Sequence, residues 1–154
     1  MTGFILLHEV GHMALGHCDN PPASPEESIV HEFQADQWAA DWILSYWEKY
    51  NQDENTFIQR SVGIAFALAA LGGIEIQTIK GSVRDHPNSA ARLLAFLDRW
   101  LPETGSGVLP KKLTAWKVGP AVLHTHFLKS GKLLDPKKAY PSFRQYLVEA
   151  QSLF

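Results

Sequence analysis

Apolar residues recur three and four positions apart along most of the chain and almost nowhere alternate, the period of amphipathic helices and not of strands. The first helix is predicted over 2–15, with Gly16 ending it, because glycine accepts the left-handed cap. A polar stretch with two prolines follows, 18–23. Ser24 then has the character of an N-cap. Pro25 takes the first helical position and Glu27 completes a capping box. This second helix is expected to reach about residue 50, with Ile29, Phe33, Ile43, Leu44 and Trp47 as its core stripe. Asn51, Gln52 and Asp53 break the pattern. A third helix is predicted over 54–80, which Gly72 and Gly73 bend or split. Its run 62–74 is apolar on every side, as in the middle of a bundle. Gly81 ends it. A fourth helix starts near Pro87 and carries Leu93, Leu94, Phe96, Leu97 and Trp100. A Gly/Pro-rich loop, 102–110, separates it from a fifth helix over 113–129 and a sixth over 142–153. The only alternating segment is 74–79. The fold class expected is mainly α, a bundle of about six helices.

Composition narrows this picture without changing it. The chain has 154 residues, 45% hydrophobic and 19% charged, which fits one globular domain over 1–154. A net charge of −2 argues against nucleic acid as the main partner. The lysines of the last third (Lys111, Lys112, Lys129, Lys132, Lys137, Lys138) read as a solvated face. The apolar run of thirteen residues is too short to span a bilayer of roughly 30 Å, so no transmembrane segment is expected. Phe4-Ile5-Leu6-Leu7 is too short for a secretory signal and has no basic residue before it. The single cysteine, Cys18, excludes an internal disulfide and suits a reducing compartment. The expected location is cytoplasmic.

The chemistry is concentrated in the first helix. His8-Glu9-Val10-Gly11-His12 is an H-E-x-x-H motif. Residues four apart on a helix lie one turn apart on one face. His8 and His12 can therefore point at one ion, while Glu9, rotated by about 100°, flanks it and can reach a water there as catalytic base. A catalytic zinc needs a third protein ligand and an open position. Glu32, on the second helix, is the candidate; Cys18 is the weaker alternative. Asp36 lies one turn after Glu32 on the same face. It is expected to accept a hydrogen bond from the non-ligating nitrogen of a ligand histidine. Ala39 continues that face, and a small residue there lets the helices approach closely.

H-E-x-x-H followed by E-x-x-A-D resembles the gluzincin zinc metallopeptidases. The motif helix His8 to His17, with its extra histidine, is similar to that of the CAAX-prenyl-protease and HtpX-type peptidases. Asp85-His86-Pro87-Asn88-Ser89-Ala90-Ala91-Arg92 resembles their later H-P-x-x-x-x-R element. The Lit-type phage-exclusion peptidases and the ImmA/IrrE type share similar short motifs. The resemblance covers about residues 4–99. It implies Zn²⁺ as cofactor, a protein or peptide substrate, and hydrolysis with water activated by zinc and Glu9. It also implies that His86 lies near the site. His86 is then either a donor to the oxyanion or a structural residue at a helix start. The metzincin pattern is excluded, because its glycine and third histidine fall on Leu15 and Cys18.

The remaining candidates read more plainly. Arg92 pairs with Asp36 or the surroundings of Glu32, or simply bridges helices. His17 lies about 140° around the helix from His12 and is read as a C-terminal histidine favoured by the helix dipole. His31 faces elsewhere. His124 and His126 point to different faces of their helix. Trp38, Trp42 and Trp47 pack helices.

Related peptidases, as the resemblance implies, carry strands ahead of the motif helix, and the seven residues before His8 leave no room for them. The expectation is therefore a chain truncated at its N-terminus, or one whose site is completed by an upstream domain or by a second copy in a homo-oligomer. The alternative is a helical zinc-binding regulatory or interaction module, weak or inactive as a catalyst.

Overall fold

The computed structural model describes residues 2–49, 53–78, 87–101, 118, 121–122, 124–125 and 142–151. Five helices make up the ordered frame among these residues, and no strand occurs among them. They are α1 (Thr2–Ala14), α2 (Pro25–Lys49), α3 (Glu54–Thr78), α4 (Ser89–Trp100) and α5 (Phe143–Ala150). The mainly α class predicted from periodicity is the class observed. The predicted fifth helix, 113–129, falls mostly outside the described residues; those described within it (Val118, Ala121, Val122, His124, Thr125) are helical. The loop 102–110 also lies outside them. No helix among the described residues is long and apolar enough to cross a membrane.

Local chemistry sets the boundaries. Helix α1 ends in a Schellman motif. Gly16 takes φ 75°, its N–H donates to the Met13 carbonyl at 3.1 Å, and the His17 N–H donates to the His12 carbonyl at 2.9 Å. At the start of α2, Ser24 Oγ accepts from the Glu27 N–H at 3.2 Å. The Glu27 carboxylate reaches back to the N–H of Ala23, one residue earlier than a standard capping box. Asp53 Oδ1 caps α3 by accepting from the Thr56 N–H. Asn88 caps α4 and Ser142 caps α5.

Two expectations are corrected. Gly72 and Gly73 do not split α3, which runs unbroken to Thr78, and the alternating segment 74–79 is helical as far as Thr78. The residues before it, including Ile64, Ala67 and Leu68, are buried, and this packing carries the helix through two poor helix formers. The core stripe of α2 also differs. Its fully buried positions are Ala35, Ala39, Ala40 and Leu44, with the polar Glu32 and Asp36 buried beside them. Ile29 and Phe33 are half-buried, and Trp42 is 51% exposed. Trp38 packs within 5.6 Å of Trp42, ring centre to ring centre. The side chain of Trp47 lies outside what is described.

That small-residue seam is where α1 lies on α2. A Cβ added to Gly11 meets the Ala35 carbonyl oxygen at 3.2 Å and the Trp38 ring at 3.3 Å. Helix α4 then closes over α3 with Leu93, Phe96 and Leu97, and α5 adds Tyr146 and Leu147 to the same core. The contrast between two glycines tests the seam. Gly11→Leu is expected to lower stability by about 1–3 kcal/mol through overpacking. Gly63→Ala, in α3 with nothing within 4 Å of the new methyl, is expected to raise it by roughly 0.5–1 kcal/mol. Urea denaturation of both variants measures the difference.

Candidate metal centre

The close approach of α1 and α2 brings His8, His12 and Glu32 together. Ligand atoms from the three lie within 4.8 Å of one another. His8 Nε2 stands 3.1 Å from His12 Nε2. Each of these nitrogens is 3.4 Å from an oxygen of Glu32, His8 from Oε2 and His12 from Oε1. A tetrahedral ion with bonds of about 2.0–2.2 Å places its donors roughly 3.3–3.6 Å apart. Two imidazoles and a carboxylate are a donor set that suits a divalent cation, and their ligand atoms lie close enough together to share one. Glu9 is exposed and, with Ile5 and Leu71, lines the same cavity of about 300 Å³ as the three donors.

Behind this triad lies a buried network of charge. His8 Nδ1 donates to Asp36 Oδ1 at 2.9 Å, which leaves Nε2 as the nitrogen that faces the triad. Arg92, reaching across from α4, grips Asp36 with two parallel bonds of 2.7 Å, Nε to Oδ2 and Nη2 to Oδ1. Its Nη1 also stands 3.4 Å from Glu32 Oε2. Both readings of Arg92 thus hold in one geometry: it pairs with the two carboxylates and thereby ties α4 to α2. The planar fork suits this double role in a way an ammonium does not.

The family model of Peptidase U49 matches residues 1–109. The chain belongs to this family. No curated protein and no solved structure matches it. The matched stretch contains α1–α4 and every residue of the network just described, so the activity this U49 chain inherits from its family is that of a peptidase, acting on proteins or peptides.

The electrostatics follow from the crowding of charge. Burial pushes the His8 imidazolium toward neutrality, but hydrogen bonds to Asp36 and Glu32 and the charge of Asp36 outweigh it, and the pKa rises from 6.5 to about 9. His12 moves the other way, lowered chiefly by burial. A proton on His8 and a divalent cation at the triad answer the same two carboxylates, so they compete.

The other histidines are placed as follows. His86 lies outside the described residues, as does His126. His124 Nδ1 is 3.2 Å from the Tyr146 hydroxyl, away from the site. Cys18 is an exposed free thiol that does not join the triad. His17 follows the turn at Gly16, and its Nδ1 lies 3.0 Å from His12 Nδ1. His31 stacks on it, ring centroids 3.9 Å apart and planes 2° from parallel. The contact with His12 is what the sequence reading did not foresee, although it follows from the helix ending at Gly16: a Schellman glycine places the residue after it beside the residue four before it.

Two outcomes are expected. Arg92→Ala removes the cation facing two buried carboxylates and should cost about 3–5 kcal/mol in stability, read from denaturant unfolding. The second concerns chelator-treated protein. The folded-state pKa of His8 lies above its value in the unfolded chain, so its contribution is fully present below pH 6.5 and is lost as pH rises through about 9. The unfolding midpoint of the metal-free protein should fall over that window, and the fall should be reduced in His8→Asn.

Proposed function

We propose that this chain is the zinc-binding domain of a gluzincin-type metallopeptidase, with His8, His12 and Glu32 as metal ligands and Glu9 as catalytic base. The observation that carries the reading is the convergence of two imidazole nitrogens 3.1 Å apart on one carboxylate, whose two oxygens each stand 3.4 Å from one of them, a donor set of the kind that holds a catalytic zinc. The membership in a peptidase family supports it independently. When bound, zinc supplies Lewis acidity toward a peptide carbonyl and toward water.

The chain's own residues do the rest. His8 and His12 present lone pairs from one helix face, and Glu32 supplies a negative charge from the facing helix. Glu9 sits next to His8 on the open side of the cavity, takes the proton of the attacking water and returns it to the leaving amine. General acid–base help of this kind is worth roughly 10²–10⁴ in rate. Asp36 holds the His8 ring in its Nδ1–H tautomer, and Arg92 holds Asp36. On sequence grounds His86 is the donor proposed for the oxyanion. Residues 1–154 form one domain in this reading.

Glu9→Gln separates an enzyme from a binding module. Peptidase activity should fall by about 10²–10⁴ while zinc content, measured by elemental analysis, stays at the wild-type level. His12→Ala should lose the zinc. A wild-type protein that carries no zinc in any preparation sinks the proposal.

A further inference from the structure

The ring of His12 is held on its far side by a chain of hydrogen bonds that ends on the surface of α2. His12 Nδ1 lies 3.0 Å from His17 Nδ1, and His17 Nε2 lies 3.0 Å from Gln34 Oε1. We propose that His17, anchored by Gln34, is a positioning residue that fixes the tautomer of His12, so that the Nε2 lone pair of His12 faces Glu32 and His8. This role rests on the reading of His12 as a metal ligand.

The polarity of the chain is set from its outer end. The amide oxygen of Gln34 can only accept, so His17 Nε2 carries the hydrogen and donates it. In a neutral ring the other nitrogen then has the lone pair, and His17 Nδ1 accepts. His12 Nδ1 must therefore be the donor, and its Nε2 is left as a lone pair on the side of the triad. A ligand histidine needs this state, with the remote nitrogen donating to a fixed partner. His8 achieves it with Asp36. His12 has no carboxylate at its Nδ1 and uses an imidazole–amide pair instead.

The fold places these groups for identifiable reasons. Had α1 continued past Ala14, His17 would lie about 140° around the helix from His12. The left-handed turn at Gly16 brings it back, with its backbone N–H bonded to the His12 carbonyl at 2.9 Å. In a Schellman motif this pair of positions is usually an apolar contact; here it is a hydrogen bond between two rings. His31 and Gln34 are three apart on α2 and share a face. One stacks on the plane of His17 and the other bonds its edge. His31 immediately precedes Glu32, so one turn of α2 supplies a metal ligand on one face and the clamp for His17 on another.

The test reads the tautomer directly. Metal-free protein with ¹⁵N-labelled histidine is examined at pH 8 by long-range proton–nitrogen correlation, and zinc affinity is measured separately by competition with a chelator. The wild type should show His12 as the Nδ1–H form. His17→Phe keeps the stacking ring but removes the acceptor, and Gln34→Lys, at an exposed position, replaces the acceptor with a donor. Both should convert His12 to the Nε2–H form or a mixture and weaken zinc about 10- to 100-fold. His17→Asn, whose amide oxygen can take the place of Nδ1, should restore the Nδ1–H form and most of the affinity. An Nε2–H tautomer in the wild type, or an unchanged tautomer in both His17→Phe and Gln34→Lys, overturns the proposal. If the tautomers respond as stated but the wild type binds no zinc, the reading of His12 as a metal ligand fails while the role of His17 in setting the ring stands.

Discussion

The pair of hydrogen bonds from Arg92 to Asp36, with His8 sharing the same carboxylate, is the interaction on which the rest of the molecule is organised. Asp36 and Glu32 are both 7% exposed, and a carboxylate taken out of water costs several kcal/mol unless it is paired and hydrogen-bonded. Arg92 answers both from α4 at 2.7–3.4 Å. His8 answers them from α1. Three helices that are distant in sequence are therefore held at one point by charge, and that point lies directly behind the donor triad.

Such a cluster exists only if the helices come close enough. Gly11 and Ala35 permit this, since backbone from α2 occupies the space a side chain on α1 would need. The apolar core lies to the other side, where Leu44, Leu68, Leu93 and Leu97 are fully buried. The division is physically sensible. Dispersion and burial of apolar surface stabilise α3, α4 and α5 against the end of α2 and take in Phe4 of α1, while a network of fixed charges, costly if disturbed, ties α1 to α2 and α4 at His8. Loose packing at the seam would separate the imidazoles from Glu32 by more than a metal–ligand bond tolerates.

His8 and His12, the proposed ligands, are supported by different chemistry, and this has consequences for how rigid each is. Asp36 is buried and doubly bonded to Arg92, so the ring of His8 is held by a partner that itself cannot move. His12 depends on His17 and Gln34, of which Gln34 is exposed. The outer histidine is thus oriented by a hinge of surface groups at a helix end, and its environment is the more easily altered by a partner or substrate that touches that edge.

The sequence by itself determined the helical class, the H-E-x-x-H face, the caps at Ser24 and Gly16, and the pairing of Glu32 with Asp36. All of these depend on spacing along a single helix, which periodicity and capping chemistry report directly. It placed Leu44 in the core and Ile43 against it, but it put Ile29 and Phe33 where the alanines lie, because these partly buried residues look more apolar than the alanines that fill the seam. It also placed the end of the helix at Gly16 but did not carry the turn through to the contact of His17 with His12. Only the tertiary structure decided that α1 lies on the alanine face of α2, that Arg92 spans from α4 to both carboxylates, and that His17 meets His12 on one side and His31 and Gln34 on the other. Apart from the local meeting of His17 with His12, those contacts join residues of different helices, and their existence depends on how closely two helices can approach, a quantity set by the summed shape of many side chains and carried by no local pattern.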